Sequence, residues 1–237
     1  MKISLIIPAY NEEKYIGRCL EQAINNAGKE YFEIIVIDNA STDRTREIAS
    51  RFPGVRVVRE SEKGLTRARQ RGFVEARGDL LAYIDADTLP AAGWQSLILS
   101  EFADDPRLVC LSGPYIYYDL PTSQQFLVKL FWLVLALPIY WLVGYLAIGG
   151  NFVIRRETLE RMSGFDTTIK FYGEDTDLAR RASVFGKVKF NLNFAMPTSG
   201  RRLSHHGVLR TALLYIINYV SEVVWHRPAT KEYSDIR

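Results

Sequence analysis

The stretch "DLLAYIDADTLP", residues 79–90, decides how the chain is read. Leu80 to Ile84 form an unbroken apolar and aromatic run that stops at Asp85-Ala86-Asp87. Such a run is what a strand buried on both faces looks like. Two carboxylates then stand at the carboxyl end of a core strand, where charge is costly unless it has a task. Three earlier runs have the same character: "ISLIIPAY" (3–10), "FEIIVIDN" (32–39) and "GVRVVRE" (54–60). Between and after them lie helical stretches, "NEEKYIGRCLEQAINNAG" (11–28), "STDRTREIASRF" (41–52), "GLTRARQRGFVEARG" (64–78) and "AAGWQSLILSEFADD" (91–105). Asn11 is expected to cap the first helix and Gly28 to follow its end. Strands alternating with helices of this length imply βαβ units and an α/β fold with a mostly parallel sheet.

In such sheets ligands bind beyond the carboxyl ends of the strands. Those ends are Pro8-Ala9-Tyr10, Asp38-Asn39, Glu60 to Lys63 and Asp85 to Asp87, so they converge on one acid-rich rim. The first turn, "PAYNEE", lacks the glycines that let backbone N–H groups approach a pyrophosphate. Another group must meet any phosphate. A divalent cation held by Asp85 and Asp87 would do so, because carboxylates are hard ligands suited to Mg²⁺ or Mn²⁺. The plainer alternative is two surface acids capping the helix at residue 91.

Composition sets limits. The 237 residues are 48% hydrophobic and 24% charged, which excludes disorder and fits a globular core. Net charge is +3, with an acidic excess before residue 126 and a basic excess after it. A basic half beside apolar segments points to phosphates or a membrane surface, and the absence of an RNA-binding signature argues against nucleic acid. Cys19 and Cys110 lack metal spacing and read as reduced buried thiols. "MKISLIIPAYNEE" has too short an apolar run for a signal peptide, so the chain is expected to stay in the cytosol.

The motifs "IIPAYNEE", "VIDNASTDRT", "EKGLTRARQRG", "YIDADT", "GGNFVIRRETLERMSGFD" and "GEDTDLARR", in that order and spacing, resemble the family 2 glycosyltransferases of GT-A fold over residues 3–202. The resemblance implies an inverting, metal-assisted transfer from a nucleotide-diphosphate sugar. It places Pro8, Ala9, Tyr10 and Glu12 along the nucleoside and Asp38 on the base or ribose. Lys63, Gly64 and Arg67 would close over the nucleotide. Around Ala86, Asp87 would be the direct metal ligand and Asp85 a ribose or metal-water contact. Asp43 reads as a first-turn helix acid, and Arg69, Arg71 and Arg77 as a solvated helix face.

In the second half, Gly150, Asn151 and Gly173 would lie beside the donor sugar and acceptor, while Arg155 and Arg156 brace the fold. "GEDTDLARR" opens a helix with three acids, favourable to the macrodipole. One of them can also be the general base that an inverting transfer needs. The family favours Asp175, with Glu174 positioning the acceptor or the loop and Asp177 structural. Arg201 and Arg202 would neutralise the leaving diphosphate. His205 or His206 would either add a metal ligand or cap a loop.

Residues 130–154 carry no charge, a length that could span a bilayer. One crossing would part Asp87 from Asp175, and Pro138 interrupts the run. Helices lying in the membrane interface, a shallow re-entrant hairpin, a dimer surface, or packing of this run against the apolar segment 208–227 as an ordinary core are the open alternatives. In "VLRTALLYIINYVSEVVWHR" (208–227) the polar residues Arg210, Thr211, Asn218, Ser221 and Glu222 form one narrow stripe. The expected organisation is one GT-A catalytic domain, 1–204, with a donor half 1–115, an acceptor and base half 149–204 and an apolar insert 121–148. A C-terminal amphipathic helix and tail, 205–237, follow. A peripheral or monotopic enzyme on the cytoplasmic face, acting on a glycan or a polyprenyl or other lipid-linked acceptor, and able to form a homo-oligomer, fits this reading. The competing readings are a nucleotidyltransferase of similar sheet and a non-catalytic nucleotide-sugar-binding scaffold.

Overall fold

A computed structural model describes residues 1–27 and 31–230. Gly28 and the tail 231–237 lie outside the described residues. The chain runs β1 (Ile3–Ala9), α1 (Ile16–Ala27), β2 (Tyr31–Asn39), α2 (Thr45–Ala49), β3 (Val55–Glu60), α3 (Leu65–Glu75), β4 (Leu80–Ile84) and α4 (Trp94–Asp104). It continues through β5 (Leu108–Ser112), β6 (Tyr115–Tyr117), α5 (Thr122–Phe131), a π-helical turn (Trp132–Ala136), α6 (Leu137–Val143), β7 (Asn151–Arg155) and α7 (Arg156–Arg161). The last elements are α8 (Glu174–Ser183), β8 (Lys187–Phe190), β9 (Met196–Thr198), α9 (Arg201–His206) and α10 (Val208–Trp225).

The sheet has seven strands in the order β3-β2-β1-β4-β7-β5-β8. All are parallel except β7, which runs against both β4 and β5. Side chains of β1 alternate between two cores. Ile3, Leu5 and Ile7 pack with Leu20 of α1 and Ile98 of α4, while Ile6 packs with Ala68 of α3 and Leu178 of α8. The sheet is therefore covered on both faces, which is why its strands read as continuous apolar runs. Strand register aligns Ala9 with Asp38 and Asp38 with Arg59, so the carboxyl ends share one rim. The reversal of β7 brings its amino end, preceded by Gly149 and Gly150, to the same rim beside Asp85.

Several local expectations change. α1 starts at Ile16, because Asn11 adopts φ 52° and gives its carbonyl side chain to Thr42 instead of capping a helix. β5, "LVCLS", had no place in the sequence reading; it is a fully buried run of five residues that follows α4 after a short turn. The run "KVKFNLNFAM" (187–196) is divided between β8 and the start of β9, since the Asn191 side chain accepts the Asn193 N–H and turns the chain. Pro138 does not break the apolar segment. The helix continues from Thr122 to Val143, with the π-helical turn just before the proline absorbing its missing N–H. Arg155 and Arg156 do brace the fold, donating to the carbonyls of Leu108 and Gly78.

Candidate active site

The donor side is built on strand ends. Tyr10, after β1, lies under the Lys63 ammonium, 3.9 Å from its ring centroid. The loop carrying Lys63 is held by Asn39, which accepts the Gly64 N–H at 2.7 Å and donates to the Glu62 carbonyl. Arg67 pairs with Glu62. Asp38 is buried and accepts the Ser41 N–H. It lines an open cleft of about 410 Å³ with Ser41, Asp43, Arg46, Glu47, Ser50 and Arg59. Asp43 does serve its short helix, accepting from Thr45, and it also accepts the Glu13 N–H, tying the first two rim loops together.

Asp85 and Asp87 leave β4 in different surroundings. The Asp85 side chain is 37% exposed, and its Oδ2 accepts the Tyr115 hydroxyl at 2.9 Å. Asp87 is nearly buried, 3.1 Å from Arg201, with the Thr198 hydroxyl 3.4 Å away. Pro8, Ala9 and Ala86 are buried beneath this rim. Glu12 is buried too, and its carboxylate is taken by Arg201 at 2.8 Å rather than facing the cleft. Arg201 thus links the first turn to the D-x-D pair. Arg202 points elsewhere and stacks on Phe171.

Among the described residues no three His, Cys, Asp or Glu side chains gather around one point. His205 is exposed and adjoins His206, away from any such group. A metal at the rim would therefore have the two aspartates as its protein ligands. Two hard carboxylates with an incomplete shell fit Mg²⁺ or Mn²⁺ completed by diphosphate oxygens and water. Gly150 fits that arrangement as well, because a Cβ there would fall on the Asp85 carboxylate and the Tyr115 hydroxyl.

The acceptor side is built on α8. Gly173 caps it at φ 83°, a conformation that favours glycine. Glu174 is buried against Arg69, whereas Asp175 stays partly exposed at the rim. Asp175 accepts the Gly149 N–H at 3.2 Å and the Thr176 N–H at 2.8 Å. Burial pushes its carboxyl above the usual aspartate range, against the pull of Arg69 and these N–H groups. Glu174 is driven up to about 8 by burial, opposed by Arg69 and reinforced by Asp175 and Asp85. Arg69 keeps its charge, so the Glu174 carboxyl lies between one guanidinium and the two further carboxyls of Asp175 and Asp85. Asp177 pairs with Arg180 and Arg181 and is structural, as expected.

Two further assignments change. Arg69 is not on a solvated face. It is 1% exposed, beneath the rim, between Glu174, Asp85 and the Gly149 carbonyl. Its signal was the spacing of Thr66, Arg69 and Gly72, which follows the buried stripe of α3. Asn151 does not reach a sugar. It is fully buried, with Nδ2 donating to the carbonyls of Gly113 and Phe194 and Oδ1 accepting from Trp94. Tyr115 and Thr198 beside the two aspartates were missed by sequence reasoning, both lying outside any quoted motif, and the hold of Asn39, already placed at the rim, on the Lys63 loop is revealed only by its contacts.

With this geometry in place, comparison with known proteins decides the family. The model of Glycosyl transferase family 2 matches residues 4–163. The chain belongs to that family. It is 41% identical over 91 residues to a dolichol-phosphate mannosyltransferase of Pyrococcus furiosus, covering 37% of this chain and 26% of that enzyme. Its fold matches a Pyrobaculum calidifontis mannosyltransferase solved with GDP-Man and Mn²⁺, with a TM-score of 0.71 and 20% identity over 94% of this chain and 64% of that one. It also matches glucosyl-3-phosphoglycerate synthase of Mycobacterium tuberculosis solved with Mn²⁺, UDP-glucose and phosphoglyceric acid. There the TM-score is 0.64 and the identity 21%, over 94% and 79% of the two chains. The chain thus spans about a quarter of the first family relative and under two thirds of the first structure. The mostly parallel seven-stranded sheet is the GT-A architecture of these family neighbours.

Proposed function

We propose that the chain transfers a sugar from a nucleotide-diphosphate donor to an acceptor hydroxyl, with inversion, in one catalytic domain spanning residues 1–204. The observation that carries this reading is Asp175, partly exposed and held at the same rim as Asp85 and Asp87 through the 149–150 turn. Tyr10, Asp38, Lys63 and the cleft beside Asp38 would take the nucleoside, with Lys63 and Arg67 closing over it. Asp85 and Asp87 would hold Mn²⁺ or Mg²⁺, which supplies charge to the departing diphosphate. The Mn²⁺ in both structural neighbours supports that choice. Arg201, beside Asp87, adds a fixed positive charge on the leaving side. Asp175 takes the proton from the acceptor hydroxyl as its oxygen bonds to the anomeric carbon. The bond from that carbon to the phosphate oxygen breaks on the opposite face, and the nucleoside diphosphate leaves with the electron pair.

The acceptor is a glycan or lipid-linked molecule met at a membrane surface, on the cytoplasmic side. α5, the π-turn and α6 form a 22-residue helix, long and apolar enough to cross a bilayer, and its most apolar 18-residue stretch is only 6% buried. Residues 144–150 that lead back from it reach at most about 25 Å when extended, short of the ~30 Å hydrocarbon core. They return to the sheet that carries Asp85, so a helix lying in the interface satisfies both constraints. α10 supports this: Thr211, Asn218 and Glu222 face inward, while Leu213 (58%), Val224 (57%) and Trp225 (62%) are exposed. A soluble surface helix has the reverse pattern. The reading is tested by incubating the protein with UDP- and GDP-sugars, with and without Mn²⁺. Metal-dependent release of the nucleoside diphosphate is expected, and no turnover or binding of any donor would refute it.

A further inference from the structure

Arg69 is the largest fully buried side chain of the protein, and an arginine in that position needs a reason. Its guanidinium contacts Glu174, lies 3.8 Å from Asp85 and donates to the Gly149 carbonyl at 2.5 Å. The neighbouring Gly149 N–H is in turn what Asp175 accepts. Two short routes therefore run from Arg69 to Asp175, one through Glu174 at the first turn of α8 and one through residue 149. The space is filled: a Cβ at Gly149 would lie 2.6 Å from Glu174 Oε1 and 2.8 Å from Arg69 Nη2. The planar fork of an arginine suits this task, because it sets Nη2 on the Gly149 carbonyl and Nη1 against the Glu174 carboxyl, where a lysine acts as a point charge.

We propose that Arg69 is a positioning residue for the transfer, fixing Asp175 relative to the donor-side Asp85 by clamping Glu174 and the Gly149 carbonyl at once. This rests on the transferase reading above. It assigns Glu174 to the clamp rather than to the acceptor. It also explains why the arginine is buried beneath the rim instead of in it, where it could have met a phosphate. A buried ion pair by itself is weak evidence of need, since apolar residues of similar volume often replace one without loss of stability. That property supplies the test.

Four proteins are compared: wild type, Arg69→Met, Arg69→Met with Glu174→Leu, and Arg69→Lys. Calorimetry with Mn²⁺ and UDP or GDP reads donor-side binding, melting reads stability, and turnover of the nucleotide-sugar the wild type uses reads kcat and KM. Arg69→Met should lose stability, because Glu174 is left buried and unpaired, and the double variant should regain it. Both should lose kcat by about 100-fold, the scale for a misplaced catalytic group, with donor KM and Mn²⁺–nucleotide affinity within about threefold of wild type. Arg69→Lys should hold its stability and recover only part of kcat. Recovery of kcat together with melting temperature in the double variant would overturn the proposal, since Arg69 would then only neutralise a buried charge. Full activity in Arg69→Lys, or a loss confined to nucleotide affinity, would overturn it as well. A wild type that binds no Mn²⁺–nucleotide would instead refute the transferase reading beneath it.

Discussion

The rim of the sheet and the outer helices treat polarity in opposite ways. At the rim, carboxylates enter the interior and each acquires a partner: Glu12 with Arg201, Glu174 with Arg69, Asp85 with Tyr115. Along α5, α6 and α10, large apolar side chains face outward, among them Phe126 (64%), Trp141 (73%) and Leu142 (87%), while Thr211, Asn218, Ser221 and Glu222 of α10 are buried and only Arg210 of its polar stripe is exposed. There Asn218 bonds Thr230 and Ser221 donates to the Arg227 carbonyl. The rim is complete in water apart from its ligand. On the proposed reading the helices would be completed by an apolar surrounding, because each large side chain left in water forgoes about 1.5–3 kcal/mol of burial. The proposed function therefore assigns chemistry and location to separate parts of one chain, and predicts that each part can be damaged alone.

The largest separable effect is expected at the base. Asp175→Asn should lower turnover by about 10²- to 10⁴-fold while calorimetry finds Mn²⁺–nucleotide binding intact; transfer that survives the substitution would move the base elsewhere. Gly150→Ala should act on the donor side. Its Cβ displaces Asp85 and Tyr115, and metal-dependent nucleotide affinity should fall by about 10- to 100-fold, the range for disturbing groups that orient a metal ligand. At the outer helices, Trp141→Glu with Leu142→Glu should cut co-sedimentation with anionic lipid vesicles by about tenfold or more and leave nucleotide affinity unchanged. Loss of both would mean that the two regions are not separable. The smallest effect is in pH. Asp175 must be ionised to accept a proton, and burial raises its carboxyl above the ordinary value of 3.8. The acidic limb of kcat/KM should therefore lie above that of an ordinary aspartate, with activity lost as pH falls through it. A limb at the ordinary position would place the base in a more open setting.

The same contrast governs what could be read from the sequence. Strand runs such as "LLAYI" announce themselves because both faces are buried, and their ends, Tyr10, Asp38 and Asp85, could be placed on one rim from topology alone. Arg69 could not. In a helix of three arginines, "LTRARQRGFVE" with Arg77 just beyond, charge suggests solvent, and only its register against Thr66 and Gly72 separates it from Arg67 and Arg71. Asn151 misled in the opposite sense. Its place after paired glycines suggested ligand contact, yet its amide joins β7 to the carbonyls of Gly113 and Phe194. On α10 the polar stripe was legible but its direction was not, since periodicity locates a face without saying which way it points. Glu12, too, sits in a rim motif and turns out to be the buried partner of Arg201, a contact across 189 positions that no local pattern encodes.

The central claim is that Asp85 and Asp87 form a metal-dependent diphosphate site. Calorimetric titration of the intact chain with UDP and GDP, with and without Mn²⁺, and again in Asp87→Asn, tests it most directly. The account predicts binding of at least one nucleotide that requires Mn²⁺ and is lost in the variant. Equal binding without metal, or unchanged binding in Asp87→Asn, would contradict it.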